Sequence, residues 1–345
     1  MIQHHHDANK EGVPPLGRKN RLGKFLKKIK IDVFLTLLLL SVVIAWMFPA
    51  IGAYQGTISL SSLSSFGISI IFFFYGLRLS YDKFRANLGN TRLHVTIHLI
   101  TFVLFPVLIL LIRPMFQGDD NILLWLGIFY LAVLPSTVSS SVVMVSIAGG
   151  NIPAAILNAS ISSLMGVFIT PLLMSIVLSN TTGVDAAGIW SIIGKLVLQI
   201  ILPVALGMLL NSRFGAFAEK HNRKLRMFDQ TIILLIVYTS FCASFENNAF
   251  DGFSSITIIG CVVGMMLLFF IVYFIVGLIC SRMKMNREDT ITAQFCSSKK
   301  SLVHGSAMAK VIFAGYHSVG IILLPIMIYH VLQIIVVSAI AKRSS

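Results

Sequence analysis

Charge is scarce in this sequence. Of 345 residues only 12% are Asp, Glu, Lys or Arg, against roughly 25% in a typical soluble domain. Acids are the scarcer sign, 13 against 27 basic residues. There are four cysteines, Cys242, Cys261, Cys280 and Cys296, and none forms a C-x-x-C pair, which argues against a zinc ribbon or a disulfide framework and leaves packing as their role. The chain has no G-x-x-x-x-G-K-[ST] loop, no H-E-x-x-H and no G-x-S-x-G elbow. Nucleotide-driven work would need another subunit, and no enzyme is expected. The remaining candidate, a Ser-Lys dyad from Ser301 and Lys300, fails because adjacent residues on a helix rarely face one another.

What is abundant is apolar surface: 56% hydrophobic residues and a mean hydropathy of +0.88. A folded soluble chain needs a polar shell as well as a core, so lipid is the expected solvent. Stretches of about 18 or more apolar residues, long enough to cross roughly 30 Å of hydrocarbon, run over 32–51, 59–80, 93–113, 121–148, 152–178, 188–211, 229–246, 254–281, 288–314 and 317–340. The expected fold is therefore an all-α polytopic membrane protein of about ten transmembrane helices.

The net charge of +14 would suggest nucleic acid in a soluble protein, but its placement points to lipid. Eight basic residues lie in the first 30, and others cluster at Lys83, Arg85 and Arg92, at 213–226, at Arg282, Lys284 and Arg287, and at Lys342 and Arg343. Intervening loops carry Asp119, Asp120, Asp185, Glu246 and Asp251. Positive charge stays on the cytoplasmic side, so both termini are expected there and no nucleic acid partner is. Residues 1–30, with His4, His5 and His6, read as a basic solvated tail, and the first apolar run as a retained span rather than a cleaved signal peptide.

Dividing the spans five and five gives repeats over 31–180 and 181–345 that enter the membrane from opposite sides, the arithmetic of an inverted repeat. Unusual features recur at matching places. Span four holds Pro135, Ser136, Thr137, Ser139, Ser140 and Ser141; span nine holds Cys296, Ser297, Ser298, Lys299, Lys300 and Ser301. Proline removes a backbone donor and hydroxyls compete for carbonyls, so both spans are predicted to be broken helices. If the breaks cross, their helix N-termini offer positive partial charge to an anion and their freed carbonyls can hold a cation. Lys299 and Lys300 stand out because a mid-span lysine costs about 2.5 to 3.5 kcal/mol. Such a lysine can bind an anionic substrate or stand in for a coupling cation, and the sequence does not choose. Asn158 and Gln294 are further candidate ligands, and His304 and His330 candidate proton carriers. Arg78, Arg113, Lys195 and Lys310 read as snorkelling residues at span ends.

At Phe295-Cys296-Ser297-Ser298-Lys299-Lys300-Ser301-Leu302 and Gly305, with Ala148-Gly149-Gly150-Asn151 and Thr170-Pro171, the chain resembles the bile acid:sodium symporter superfamily. The likeness is to the bacterial symporter branch related to the seventh member of solute carrier family 10, and it runs from about residue 30 onward. The resemblance implies two inverted five-helix repeats, a panel domain (spans 1, 2, 6 and 7), a core domain (spans 3–5 and 8–10), and a bacterial inner membrane. In sodium-coupled members the crossing of spans four and nine holds two sodium ions. Here the corresponding positions read Gln294 for a glutamate, Ser298 for a glutamine, Lys299 for an asparagine, Ser141-Val142 for Ser-Asn, and Ala155 and Ala159. Losing a carboxylate and gaining lysines reverses the local charge.

The expected function is secondary active transport of a small organic anion by alternating access. Ser139, Ser140, Ser141, Asn158, Gln294, Ser297, Ser298, Lys299, Lys300 and Ser301 are the expected substrate- or ion-binding residues. No cofactor is expected, with sodium or a proton as coupling ion. The rival is a non-transporting membrane regulator acting through its basic loops, on calcium homeostasis if the resemblance to eukaryotic members extends so far.

Overall fold

A computed structural model describes residues 33–344, apart from 55, 57–58, 80–89, 183–185, 315 and 317. The predicted basic tail at 1–30, and Lys83, Arg85 and Asp185, lie outside the described residues. All regular elements described are helical; besides a short helix at Pro49–Ala53 they are α1 (Val33–Met47), α2 (Leu60–Leu77), α3 (Thr91–Met115), α4 (Asp119–Val133), α5 (Ser139–Ile147), α6 (Ile152–Thr182), α7 (186–220), α8 (Asn222–Glu246), α9 (Ser255–Arg282), α10 (Arg287–Ser298), α11 (Leu302–Ile312) and α12 (Val319–Ser344).

Among the described residues seven helices are long and apolar enough to cross a membrane: α2, α3, α6, the 193–220 part of α7, α8, α9 and α12. They coincide with seven of the ten predicted stretches. Of the other three, the first is the shorter helix α1, and the fourth and ninth are each divided into two helices, α4 with α5 and α10 with α11.

Unlike a soluble bundle, this one is apolar on its outside as well as in its core. Along α9, Ile256, Ile259, Val263, Leu267, Ile271, Phe274 and Leu278 are exposed at three- and four-residue steps, an apolar stripe that only lipid can solvate. Ser297, Ser298, Lys299 and Lys300 are buried instead.

Two helices change pitch just before a proline. In α3 the turn Ile100–Leu104 is π-helical and precedes Pro106; in α7 the turn Val197–Ile201 precedes Pro203. Proline cannot donate to the preceding turn, and the wider turn lets Phe105 N reach Ile100 O and Leu202 N reach Val197 O.

Helices α1, α2, α7 and α8 pack on one another, α3 to α6 with α9, α10 and α12 form a second group, and α11 packs against both α8 and α12. The contact of α2 with α7 is closest where Gly76 faces the carbonyl of Val204 and Gly207 faces that of Phe73, with no room for a Cβ on either. Small residues let membrane helices approach to backbone contact. Gly207→Ala is therefore expected to lower the melting temperature of purified protein, by overpacking on the order of 1–3 kcal/mol. Gly264→Ala, where a Cβ meets nothing, is the control and should melt at or above the parent temperature.

Candidate functional site

Helix α4 stops at Val133 in front of Pro135, and α5 begins at Ser139; α10 stops at Ser298, and α11 begins at Leu302. The two interruptions touch, Ser301 N donating to Pro135 O at 2.9 Å. Backbone groups without partners each cost several kcal/mol in hydrocarbon, so the partners at these breaks are informative. Four successive carbonyls are each accounted for. Ala132 O and Leu134 O accept from Lys300 Nζ (2.6 and 2.9 Å), Val133 O from Thr170 Oγ1 (2.7 Å), and Pro135 O from Ser301 N. Ser136 N donates to Ser162 Oγ at 2.9 Å, and the Pro135 ring lies against Gly166 where a Cβ would not fit. Across the second break Gln333 of α12 brackets the peptide of Lys300: its Oε1 accepts from Lys300 N and its Nε2 donates to Lys300 O, both at 2.9 Å. Tyr329 OH donates to Ser298 O.

The two lysines diverge. Lys300 Nζ makes a third bond, to Thr101 O at 2.9 Å, and sits 4.1 Å from the Phe105 ring centre. Lys299 Nζ donates to Ser140 Oγ at 2.7 Å, leaving two of its three donors without a hydrogen bond among the described residues. Both side chains are fully buried. Neither snorkels.

A cavity of about 350 Å³ opens between the two helix groups. One wall is Phe72, Tyr75 and Arg78 of α2 with Arg226, Asp229 and Gln230 of α8; the other is Thr137, Ser140, Ser301, His304 and His330. Both restarting half-helices thus point their first turns at it, and helix N-termini favour anions. Arg78 donates to Asp229 Oδ2 at 2.7 Å, and Asp229 Oδ1 has no hydrogen-bond partner among the described residues. Two guanidiniums face one carboxylate in this lining, with the Lys299 ammonium directly behind Ser140. The balance of charge is positive, and the arrangement can bind an anion.

Of the ten residues expected from sequence, Ser140 and Ser301 line the cavity. Ser301 Oγ also caps α11, accepting from His304 N at 3.3 Å. Ser141 shares a hydrogen bond with Thr137, and Ser298 Oγ donates to Gln294 O. The Ser297 hydroxyl is buried without a hydrogen-bond partner among the described residues. The side chain of Ser139 lies outside the described part. Asn158 and Gln294 do not reach the cavity: Asn158 bonds Ala154 O and His94 Nδ1, and Gln294 Nε2 approaches Tyr273 O at 3.5 Å. His304 pairs with Ser301 and meets Phe72 and Tyr75 edge-on, while His330 pairs with Gln333.

Two snorkelling expectations are corrected. Arg78 turns inward to Asp229, and Lys310 Nζ donates to Ser61 Oγ at 2.8 Å, with Thr239 Oγ1 at 3.4 Å. Both find polar partners on a neighbouring helix. Asp229 and Gln333 carry no expectation from sequence, and Arg226 is expected there only as part of the basic cluster at 213–226. The signal for Gln333 was available, since an amide inside an apolar span needs a partner.

The model of the SBF-like CPA transporter family matches residues 32–345. The chain is 36% identical over 312 residues to the Pseudomonas aeruginosa protein named "Uncharacterized protein PA2026", covering 90% of this chain and 92% of the relative. It is 36% identical over 318 residues to "Putative symporter YfeH" of Escherichia coli, covering 91% and 92%. It is 29% identical over 319 residues to "Sodium/bile acid cotransporter 7-B" of Xenopus laevis, covering 91% and 92%.

Because Gln333 satisfies both peptide groups of Lys300, Gln333→Leu leaves a buried donor and a buried acceptor unpaired. A loss of about 1–3 kcal/mol for each is expected. Thermal unfolding of the purified variant should register it, and an unchanged melting temperature would show that the bracket carries no weight.

Proposed function

The chain belongs to the SBF-like CPA transporter family, and we propose that it is a secondary active transporter moving a small organic anion across a membrane by alternating access. It is a multi-pass membrane protein, read here as ten crossings in two inverted five-helix repeats, with the divided spans four and nine crossing near the midplane. Among the residues that line or back the cavity, Ser140, Ser301 and Lys299 are the proposed substrate contacts from the breaks, with Arg78 and Arg226 facing them from the other group of helices.

The observation that carries this reading is the cavity itself. It lies between the two helix groups, is lined by the first turns of two interrupted spans, and holds more positive than negative charge. Sites of this kind, at the meeting of broken helices, are where secondary transporters hold their substrates. Its mouth, at Arg78, Asn222 and Arg226, lies beside the basic stretch at 213–226, where α7 ends and α8 begins, so by the positive-inside rule it opens to the cytoplasm.

The far end is closed. Lys310 on α11 binds Ser61 of α2 and Thr239 of α8, and Gly320 N of α12 donates to Ser244 Oγ of α8 at 2.9 Å. Lys310 is eight residues beyond Leu302 at the cavity wall, about 12 Å along the helix axis. A cavity open on one side and bonded shut on the other is what one half of an alternating-access cycle requires. The panel (spans 1, 2, 6 and 7) and core (spans 3–5 and 8–10) would rock against each other, exchanging which end is sealed.

Substrate class is testable by melting purified protein against a set of organic anions, since a ligand of the native state raises its stability, and then measuring uptake of those that bind in proteoliposomes. Arg226→Ala and Lys299→Ala are expected to raise KM on the order of tenfold, a loss of about 1.4 kcal/mol each. Unaltered uptake and affinity in both would remove the anion site from the cavity. At the sealed end, Lys310→Met should make a cysteine introduced at the buried Ser240 position react with an impermeant thiol reagent from the periplasmic side. No gain in labelling would mean that Lys310 does not hold the seal.

A further inference from the structure

Relatives of this chain carry sodium in their names, and alkali ions in interrupted membrane helices are held by freed backbone carbonyls. The crossing has such carbonyls. Thr101 O, Ala132 O and Leu134 O converge from α3 and from the end of α4 on one point. That point is Lys300 Nζ. The residues present do not fit an alkali ion there, because its ligands are already taken.

We propose that the Lys300 ammonium is a built-in cation. It permanently fills a carbonyl cage that would otherwise take an alkali ion, so that this chain closes its two breaks without sodium.

Each ligand is available for a separate structural reason. Ala132 and Leu134 lie where α4 ends at the Leu134-Pro135 step, and the last carbonyls of a helix have no partner within it. Thr101 lies in the π turn of α3. Its carbonyl would accept from Phe105 N in an ordinary α-helix, but that donor goes to Ile100 O. In the π register it would accept from residue 106, which is Pro106 and has no N–H. The carbonyl is thereby stripped of a helical partner in either register, and Lys300 takes it.

Three N–H donors of an ammonium meet three carbonyls at 2.6 to 2.9 Å. The Phe105 ring at 4.1 Å adds its negative face. Gln333 holds the peptide of Lys300 from both sides, so the side chain is anchored where it enters the cage as well as at its tip. Among the described residues no carboxylate takes part, which distinguishes the cage from an ordinary buried ion pair. Neither lysine lines the cavity, but Lys299 bonds the lining residue Ser140, whereas the three bonds of Lys300 Nζ go to the carbonyls of the cage. The adjacent lysines therefore divide the two roles open to them: Lys299 serves the anion, and Lys300 serves the backbone.

The test is the cation dependence of thermal unfolding of the purified full chain, with sodium chloride or potassium chloride exchanged for N-methylglucamine chloride at equal ionic strength. The parent protein is expected to melt at the same temperature in all three. Lys300→Ser empties the cage while leaving its oxygens, so it should melt several degrees lower in N-methylglucamine and recover saturably with sodium or potassium. Lys300→Met, which fills the space with an apolar chain, should be destabilised without recovery. A folded Lys300→Ser that recovers with neither cation would overturn the proposal, as would a saturable sodium stabilisation of the parent equal to that of the variant. Should Lys300→Ser not fold, the parent decides: saturable binding of radioactive sodium refutes the built-in cation, and its absence upholds it.

Discussion

The structure depends on one obligation of hydrocarbon: a helix interrupted inside it must find a partner for every backbone group it releases. Between Ala132 and Pro135 that obligation is met carbonyl by carbonyl, by a lysine, a threonine, the same lysine again and the amide of the opposite break. These donors come from different parts of the chain, the Thr170 hydroxyl from α6 and the others from the segment between α10 and α11. The first break can exist only because the second stands beside it, and each therefore enforces the position of the other.

Chemistry follows from that mutual support. Once the spare carbonyls are consumed at the back of the crossing, what remains facing the cavity is the other end of each dipole, the first turns of α5 and α11, together with Ser140 and Ser301. The cationic side chains then add to the helix-end potential instead of being spent neutralising it, except where Asp229 meets Arg78. One carboxylate against the two guanidiniums leaves the lining receptive to negative charge while keeping Arg78 oriented along α2, where its Nε also bonds Phe74 O at 3.0 Å.

Much of this was legible in the residues. Long apolar runs announced the helices, and Pro135 with its serines and the lysine pair after Cys296 marked where two of those runs would fail, because both features break local rules that the rest of the chain obeys. Partnership was not legible. Lys299 and Lys300 look alike in sequence, and only the placement of Thr101, whose carbonyl is freed by a proline five residues on, separates them. Arg78 and Lys310 sit near the ends of apolar stretches, where reaching for a headgroup is the default; that Asp229 and Ser61 lie within hydrogen-bond reach is a fact of helix packing. Asn158 and Gln294 are polar for local reasons, tying α6 to α3 and approaching α9, which one sequence cannot distinguish from ligation.

The contacts of Lys310 differ in kind from those of Lys300. Its partners are two neutral hydroxyls, either of which loses little when water replaces an ammonium, whereas the caged lysine would leave three carbonyls bare in lipid. One lysine is thus a latch and the other a rivet. Under the proposed alternating access, the former suits a moving seam and the latter a fixed pivot, and the two are separated here by ten residues of one chain.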